Sequence, residues 1–321
     1  MLRVYLTMKK IIINLGLPKS GSTTLQTNIY PNLQNVEFLG RKFNEKNLEI
    51  FNKLDDLVEN RMNIIKTEKD EEIFLDEFLK FFNNSNKNLL ISQEYWSIPF
   101  TYSHKSENYF INSQWNKFKR LNSFLKKLKC EVDYFIVYRD PIEAIPSFFF
   151  TFHHMIINIF GWSFREVNFY CEQLIKKNND FKNYNLLFDI YNLKKFKFYF
   201  KTELKNSLHV INFDLLNNKK SFLNKICEIT GSSVNEDLYR FMESKENISK
   251  KNESGDIVIN VSKPNNFLKF LTAFLKKIKL KNFIKIIFFK FGFKGFKKKD
   301  YVIKINNDLL KKAIKLNLDN S

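Results

Sequence analysis

The sequence has few cysteines and histidines, the residues that form disulfide-stabilised small folds and metal sites. It contains three cysteines and four histidines in 321 residues, and no CxxC or HxxxH pair. Three isolated cysteines argue against a disulfide scaffold or a zinc module and favour a reducing compartment, so we expect no metal. Eight glycines and six prolines beside 44% hydrophobic residues argue against a disordered chain. The composition predicts a large packed core.

Acidic residues are also scarce, since 34 Asp and Glu face 53 Lys and Arg, a formal charge of +19. Most of the excess lies in residues 264–321, where fifteen Lys and three acidic residues give +12. Lys alternates there with Phe, Ile and Leu, which predicts basic amphipathic helices over residues 267–296. We therefore predict a domain at residues 1–263 and a helical C-terminal extension at residues 264–321. The extension is either a membrane or partner contact or ordinary packing on the core.

Long apolar runs are missing as well. No run reaches the roughly 20 residues that span a bilayer. The opening segment from Met8, a candidate initiator, has no small-residue cleavage site, so we interpret it as a strand rather than a signal peptide. We expect a cytoplasmic protein, with peripheral contact to the inner face of the membrane as one role for the basic extension.

Five short apolar runs are present, at residues 10–15, 35–39, 88–92, 132–138 and 208–213. Segments with helical periodicity separate them, for example at residues 73–82 and 118–128. Strands that are apolar throughout and alternate with helices predict an α/β fold, a doubly wound and mainly five-stranded parallel sheet flanked by helices. In such sheets ligands bind at the carboxyl ends of the strands, so the residues after each run are the candidate site.

The first run is followed by Gly-Leu-Pro-Lys-Ser-Gly-Ser-Thr-Thr at residues 16–24. Gly16 and Gly21 have the spacing of a phosphate-binding loop, but Ser22 stands where an NTPase carries Lys, and the lysine is Lys19. Gly21 allows close backbone approach, and the hydroxyls that follow it add donors for an anion. The segment therefore predicts an anion cradle. The alternative is a strand-to-helix turn with capping hydroxyls.

The fourth run ends at Arg139, followed by Asp-Pro and, eight residues after Arg139, by Ser147. Pro141 suits the first turn of a helix, which puts Arg139 at the strand end and Ser147 on the helix. The planar fork of arginine suits a phosphate, and the serine hydroxyl can complete the contact. Pro146 predicts a kink just before Ser147. A surface ion pair is the alternative role for Arg139.

Glu94 follows the third run, and its carboxylate can remove a proton from an acceptor group. A solvated carboxylate or one paired with Lys19 is the alternative. Histidine is the rival base, and the candidates are His104, His153 and His154, none of which lies in a recognisable motif. The sequence leaves the choice of base open.

These motifs resemble those of sulfotransferases that use 3′-phosphoadenosine 5′-phosphosulfate (PAPS), in particular the bacterial and carbohydrate-type enzymes with a P-loop-like fold. The loop residues match the family's 5′-phosphosulfate loop, Arg139 and Ser147 resemble its 3′-phosphate motif, and Ser92-x-Glu94 resembles the strand that carries its proposed base. The resemblance covers residues 8–233. The matching loop positions are Pro18, Lys19, Ser20, Gly21, Ser22, Thr23 and Leu25.

The resemblance implies transfer of a sulfonate group from PAPS, without a metal, to a hydroxyl or amine. The acceptor would be a glycan, another cell-envelope saccharide or a small molecule. Aromatic residues within 148–199 are expected either to line part of its pocket or to belong to the ordinary core. Lys19 and Glu94 would be catalytic, and PAPS would be held by Pro18, Lys19, Ser20, Gly21, Ser22, Thr23, Thr24, Arg139 and Ser147. The alternatives are a nucleotide kinase or NTPase with a degenerate loop and a basic membrane- or nucleic-acid-binding protein. We expect no specific nucleic-acid partner.

Overall fold

The computed structural model describes residues 9–40, 47–103, 108–176, 188–242, 257–261, 299–303 and 305–319. The predicted basic helices at residues 267–296 lie outside these ranges. The chain divides into two units, Met1–Ile248 with Asn306–Ser321, and Ser249–Ile305. The predicted boundary after residue 263 stays a prediction.

The first unit is built on a parallel sheet of five strands in the order β2-β3-β1-β6-β7. Every predicted strand is confirmed, with ends that agree to within one residue, and the predicted α/β class is therefore confirmed. A two-stranded antiparallel hairpin, β4 and β5, stands apart from this sheet, and a second antiparallel pair, β8 and β9, belongs to the second unit. The strands are β1 (Lys10–Asn14), β2 (Val36–Gly40), β3 (Asn88–Ser92), β4 (Phe100–Ser103), β5 (Asn108–Ile111), β6 (Glu131–Tyr138), β7 (Leu208–Asn212), β8 (Ile257–Val261) and β9 (Lys299–Ile303).

Helices connect the parallel strands, as the periodic segments predict. Thr67 and Asp70 form a capping box at the start of α3, and Gly231 ends α8 in the left-handed conformation. Helix α5 begins at Pro141 and continues through Pro146 as one helix. The helices are α1 (Ser22–Thr24), α2 (Leu48–Glu59), α3 (Glu68–Asn83), α4 (Gln114–Lys126), α5 (Pro141–Phe160), α6 (Val167–Ile175), α7 (Leu193–Tyr199), α8 (Lys219–Thr230), α9 (Glu236–Phe241) and α10 (Asn307–Asp319).

The core lies on both faces of the sheet. Ile11, Ile12 and Ile13 are consecutive in β1 and all fully buried, because helices cover both sides of a central parallel strand. Helix α10 packs on α5 and α6 with Leu310 buried. No helix in the described part of the chain is long and apolar enough to span a bilayer.

The sheet brings three chain segments to one edge. Strand β1 pairs in parallel with β3 on one side and with β6 on the other, so Asn14 lies beside both Ser92 and Phe135. The segments that leave these three strand ends carry the predicted loop, Glu94 and Arg139. The parallel register therefore gathers all three predicted motifs at the carboxyl edge.

Candidate active site

The loop after β1 lies directly against the segment that carries Glu94. Gly16 adopts a positive φ of 57°, and its N–H donates to the Oδ1 atom of Asn14 at 2.9 Å. A Cβ atom at Gly16 would stand 3.1 Å from the Cα atom of Glu94. Glycine is required here both for the left-handed conformation and for the close contact between the two backbones.

The loop itself alternates left-handed and ordinary residues. Lys19 has a φ of 62° and Gly21 a φ of 76°, with Ser20 between them. The Ser20 N–H donates to the Leu17 carbonyl at 3.3 Å and closes a turn inside the loop, and left-handed residues that flank an ordinary one are typical of anion-binding backbone concavities. The Ser20 hydroxyl is buried and has no hydrogen-bond partner in the described part of the chain. Because an unsatisfied buried hydroxyl is destabilising, this atom fits a site that is completed by an anionic ligand.

Only the first turn of the helical stretch after the loop is α-helical. Helix α1 covers only Ser22–Thr24 and continues as a π-helical segment, Leu25–Ile29, and a 3₁₀ turn, Tyr30–Asn32. Thr23 and Thr24 are half-buried in the α-helical turn. π-Helical segments are rare and occur often at functional sites. Ser22, Thr23 and Thr24 directly follow the loop in this turn, and their role in a phosphate cradle stays a prediction.

The carboxylate of Glu94 reaches the loop. Its Oε2 atom accepts a hydrogen bond from the Ser22 hydroxyl at 3.0 Å. Burial lowers the pKa of the Lys19 ammonium, the nearby Glu94 charge raises it, and the Arg139 cation lowers it. These charge effects place Lys19, Glu94 and Arg139 in one electrostatic environment. The site thus combines two cations with a carboxylate that could act as a base.

Arg139 links the end of β6 to the loop. Its Nη1 atom donates to the Lys19 carbonyl at 3.1 Å, and its guanidinium carbon lies 4.8 Å from the centre of the Phe213 ring. The Nε and Nη2 atoms both donate to one oxygen of Glu143, at 3.1 and 3.0 Å. The predicted surface ion pair therefore exists, and it coexists with the predicted position beside the loop. A phosphate that binds Arg139 would compete with Glu143.

The other predicted site residues are Pro18, Ser147 and the candidate histidines, and they lie on the loop and on helix α5 or outside the described residues. The Pro18 carbonyl belongs to the loop and accepts a hydrogen bond from another element, described below. Ser147 is half-buried on α5, where its carbonyl accepts from the Thr151 hydroxyl. His154 is exposed on α5, whereas His104 and the side chain of His153 lie outside the described residues. The roles assigned to all of these residues stay predictions.

Tyr191 is a site residue that the sequence motifs miss. Its side chain is 1% exposed and its hydroxyl donates to the Pro18 carbonyl at 2.9 Å. Burial raises the pKa of Tyr191 well above its usual value, and the Glu94 charge raises it further. Tyr191 follows a segment without any motif, so no sequence signal connects it to a loop 173 residues earlier.

Lys117 is a second residue that the sequence does not reveal. It is fully buried, and its ammonium donates to the carbonyls of Tyr95, Ile98 and Phe100 at 3.0, 2.8 and 3.0 Å and to the Glu59 carboxylate at 2.9 Å. Burial lowers the pKa of Lys117 and raises that of Glu59, while each charge opposes the shift of the other. Lys117 thereby holds the chain segment that follows Glu94.

Asp55 supports the same segment from the other side. One of its carboxylate oxygens accepts hydrogen bonds from Gln93 Nε2 and Trp96 Nε1, both at 2.9 Å. The other oxygen is 2.7 Å from Arg61 Nη1. The residues on either side of Glu94 are therefore fixed by buried polar contacts, which orients the carboxylate towards the loop.

Comparison with known proteins finds no matching family model and no matching curated protein. Three similar solved structures are a sulfotransferase domain of the curacin biosynthetic pathway, a sulfotransferase from Alicyclobacillus acidocaldarius and a tunicamycin resistance protein from Deinococcus radiodurans. Identities are 12, 11 and 11% and TM-scores 0.36, 0.39 and 0.33. The matches cover 74, 71 and 70% of this chain and 79, 87 and 97% of the others. Sulfotransferases are thus among the structures to which this chain is similar.

Proposed function

We propose that this protein is a sulfotransferase that moves a sulfonate group from PAPS to an acceptor hydroxyl or amine. The observation that carries the proposal is the meeting of the loop, Glu94 and Arg139 at one edge of the sheet, with Arg139 donating to the Lys19 carbonyl. Two cations suit a nucleotide that bears phosphate at both its 5′ and 3′ positions. The carboxylate of Glu94, on the other side of the loop from Arg139, suits an acceptor that must lose a proton.

The residues divide the task as follows. The Ser20 hydroxyl and the backbone amides and hydroxyls from Gly21 to Thr24 hold the 5′-phosphate, with Pro18 setting the turn before Lys19. Arg139 and Ser147 hold the 3′-phosphate, which gives selectivity for PAPS over nucleotides without one. When bound, PAPS supplies the sulfonate group and a phosphate leaving group.

Glu94 accepts the proton of the acceptor O–H or N–H group as the acceptor atom forms its bond to sulfur. The bond between sulfur and the 5′-phosphate oxygen breaks, and Lys19 stabilises the charge that develops on this oxygen. The products are the sulfated acceptor and 3′-phosphoadenosine 5′-phosphate (PAP). Positioning and charge stabilisation supply most of the catalysis, as in phosphoryl transfer. None of the groups in this scheme is a metal.

For the acceptor we propose a glycan or another cell-envelope saccharide, sulfated in the cytoplasm. The three cysteines, none of which forms a disulfide, suit that compartment. Contact with an anionic membrane through residues 264–321 is a further part of the proposal, and no specific nucleic acid takes part.

The proposal is tested by measuring nucleotide binding to the wild type and to a variant that lacks the unsatisfied Ser20 hydroxyl. Calorimetry should detect PAP but not ATP with Mg²⁺, because Ser22 occupies the position of the NTPase lysine. Ser20→Ala should weaken PAP binding severalfold while the free energy of unfolding is unchanged or higher, since it removes an unsatisfied buried group. Binding of ATP with Mg²⁺ in preference to PAP would favour the kinase or NTPase alternative instead.

A further inference from the structure

Three half-exposed tyrosines lie in the segment directly after Glu94 and on the hairpin that follows it. Tyr95 follows Glu94 directly, and Tyr102 on β4 pairs in register with Tyr109 on β5. The rings of Tyr102 and Tyr109 are 5.1 Å apart. The His154 ring, exposed on α5, lies 6.1 Å from Tyr109. We call Tyr95, Tyr102, Tyr109 and His154 the tyrosine wall.

The tyrosines of this wall influence one another electrostatically. Burial raises the pKa of Tyr109, and the charges of Tyr95 and Tyr102 raise it further. Each tyrosine offers an apolar ring face and a hydroxyl that both donates and accepts. The wall therefore presents ring faces and several polar groups on one surface.

Tyr95 is joined to the nucleotide loop through buried rings. Tyr95 contacts Phe152 edge to face at 6.3 Å, Phe152 contacts Phe148 at 4.8 Å, and Phe148 contacts Tyr191 at 6.4 Å. Tyr191 in turn donates to the Pro18 carbonyl. This packing fixes the position of Tyr95, which is adjacent to Glu94 in the chain, relative to the loop.

The aromatic residues within 148–199 mostly take the core alternative. Phe149, Phe152, Phe164 and Tyr170 are all less than 10% exposed and belong to the core. Half-exposed aromatic side chains lie instead on the β4–β5 hairpin and, with Tyr95, directly after Glu94.

We propose that the tyrosine wall is the acceptor subsite and that it binds a saccharide. The proposal rests on the proposed function. The C–H face of a sugar ring packs on a tyrosine ring, while its hydroxyls bond to the phenols and to His154. A flat apolar acceptor would favour a closed apolar pocket, whereas this wall is open to water and carries four polar side chains. The sugar hydroxyl nearest Tyr95 is delivered to Glu94.

The experiment measures saccharide binding by saturation-transfer NMR and calorimetry, with PAP present. The probes are maltotetraose, chitotetraose, a hyaluronan hexasaccharide and a heparosan hexasaccharide, with 4-nitrophenol as the competing class. We expect at least one oligosaccharide to bind, and Tyr102→Ala and Tyr109→Ala to weaken its binding at least tenfold. Tyr102→Phe, which keeps the ring, should weaken it less. Phe198→Ala removes an aromatic ring that is 66% exposed on α7 and should change nothing.

Each outcome bears on the wall separately from the nucleotide site. Failure of all four oligosaccharides to bind, preference for 4-nitrophenol, or unchanged binding in both Tyr→Ala variants would overturn the proposal. PAP affinity and the thermal unfolding midpoint are measured for every variant and should match the wild type. If the wild-type protein bound a saccharide but did not bind PAP, the sulfotransferase proposal would be overturned, whereas the saccharide-binding role of the wall would still hold.

Discussion

Lys19 is half-buried and influenced by the Glu94 charge, and Lys117 is fully buried and bonded to the segment after Glu94. The two lysines differ in how far the protein satisfies the groups around them. Lys117 is fully buried and its ammonium has four acceptors, so every donor is satisfied by the protein. Lys19 sits in a strained left-handed conformation beside an unsatisfied serine hydroxyl. The complete set of partners indicates that Lys117 is a structural cation, whereas the strained backbone of Lys19 and the unsatisfied hydroxyl beside it suit the ligand-binding role proposed for Lys19.

The largest effect should come from Lys117→Met. The substitution leaves Glu59 buried without its counter-charge, and removing one partner of a buried ion pair costs about 3–5 kcal/mol of unfolding free energy. Urea denaturation measures this. Lys119→Met, at an exposed position on the same helix, is the matched control and should change stability by no more than about 0.5 kcal/mol. A loss below about 1 kcal/mol for Lys117→Met would mean that the pair is not structural.

Lys19→Ala should reduce activity and leave stability unchanged, whereas Lys117→Met should reduce stability. We expect sulfonate transfer from radiolabelled PAPS to a cell-envelope extract to fall about 10²–10³-fold, because a group that stabilises transition-state charge is lost. Stability should stay within about 0.5 kcal/mol of the wild type, since Lys19 has little structural role. Lys225→Ala, which removes an exposed lysine paired with Glu228, is the control. Retention of more than about a tenth of the activity, a barrier change under about 1.4 kcal/mol, would contradict the role of Lys19.

Glu94→Gln should reduce turnover about 10²-fold and leave PAP binding nearly unchanged, because a proton acceptor is lost while the shape is kept. If PAP binding collapsed and single-turnover chemistry survived, Glu94 would not be the base.

Glu94→Gln should also change the alkaline limb of the pH–rate profile. The pKa of Lys19 is already below its ordinary value of 10.5, and Glu94 raises it, so removing that charge should shift the limb to lower pH.

The smallest effect concerns Glu143, which occupies two donors of Arg139 from an exposed position. Glu143→Gln should tighten PAP binding about two- to fivefold, in line with the modest strength of exposed ion pairs. Calorimetry at two salt concentrations measures it, and the gain should shrink at the higher one. Glu228→Gln is the matched control. Unchanged or weaker PAP binding would show that Glu143 does not compete with the 3′-phosphate.

Local patterns in the sequence predict the sheet and the three motifs well. The five strands are short apolar runs bounded by polar residues, and the phosphate loop is contiguous, so both can be read from neighbouring residues. Parallel pairing then gathers Lys19, Glu94 and Arg139 without further information.

The supporting residues could not be predicted in this way. Lys117 lies in the stretch Asn-Lys-Phe-Lys-Arg, where it looks like any surface lysine of an amphipathic helix, and its burial depends on carbonyls from a different segment. Tyr191 contacts a loop from which it is separated by most of the chain. The tyrosine wall depends on the pairing of β4 with β5, two short strands that the sequence pattern does not mark.

The contact between Gly16 and Glu94 sets the spacing of two chain segments. Because a single added carbon would come within 3.1 Å of the Glu94 Cα atom, backbone meets backbone with no side chain in between. In the proposed function these are the segments that bind the donor and accept the proton, so the width of the gap that the sulfonate group crosses would be set by one glycine. Side chains on the hairpin would then change which acceptor is bound without changing that width.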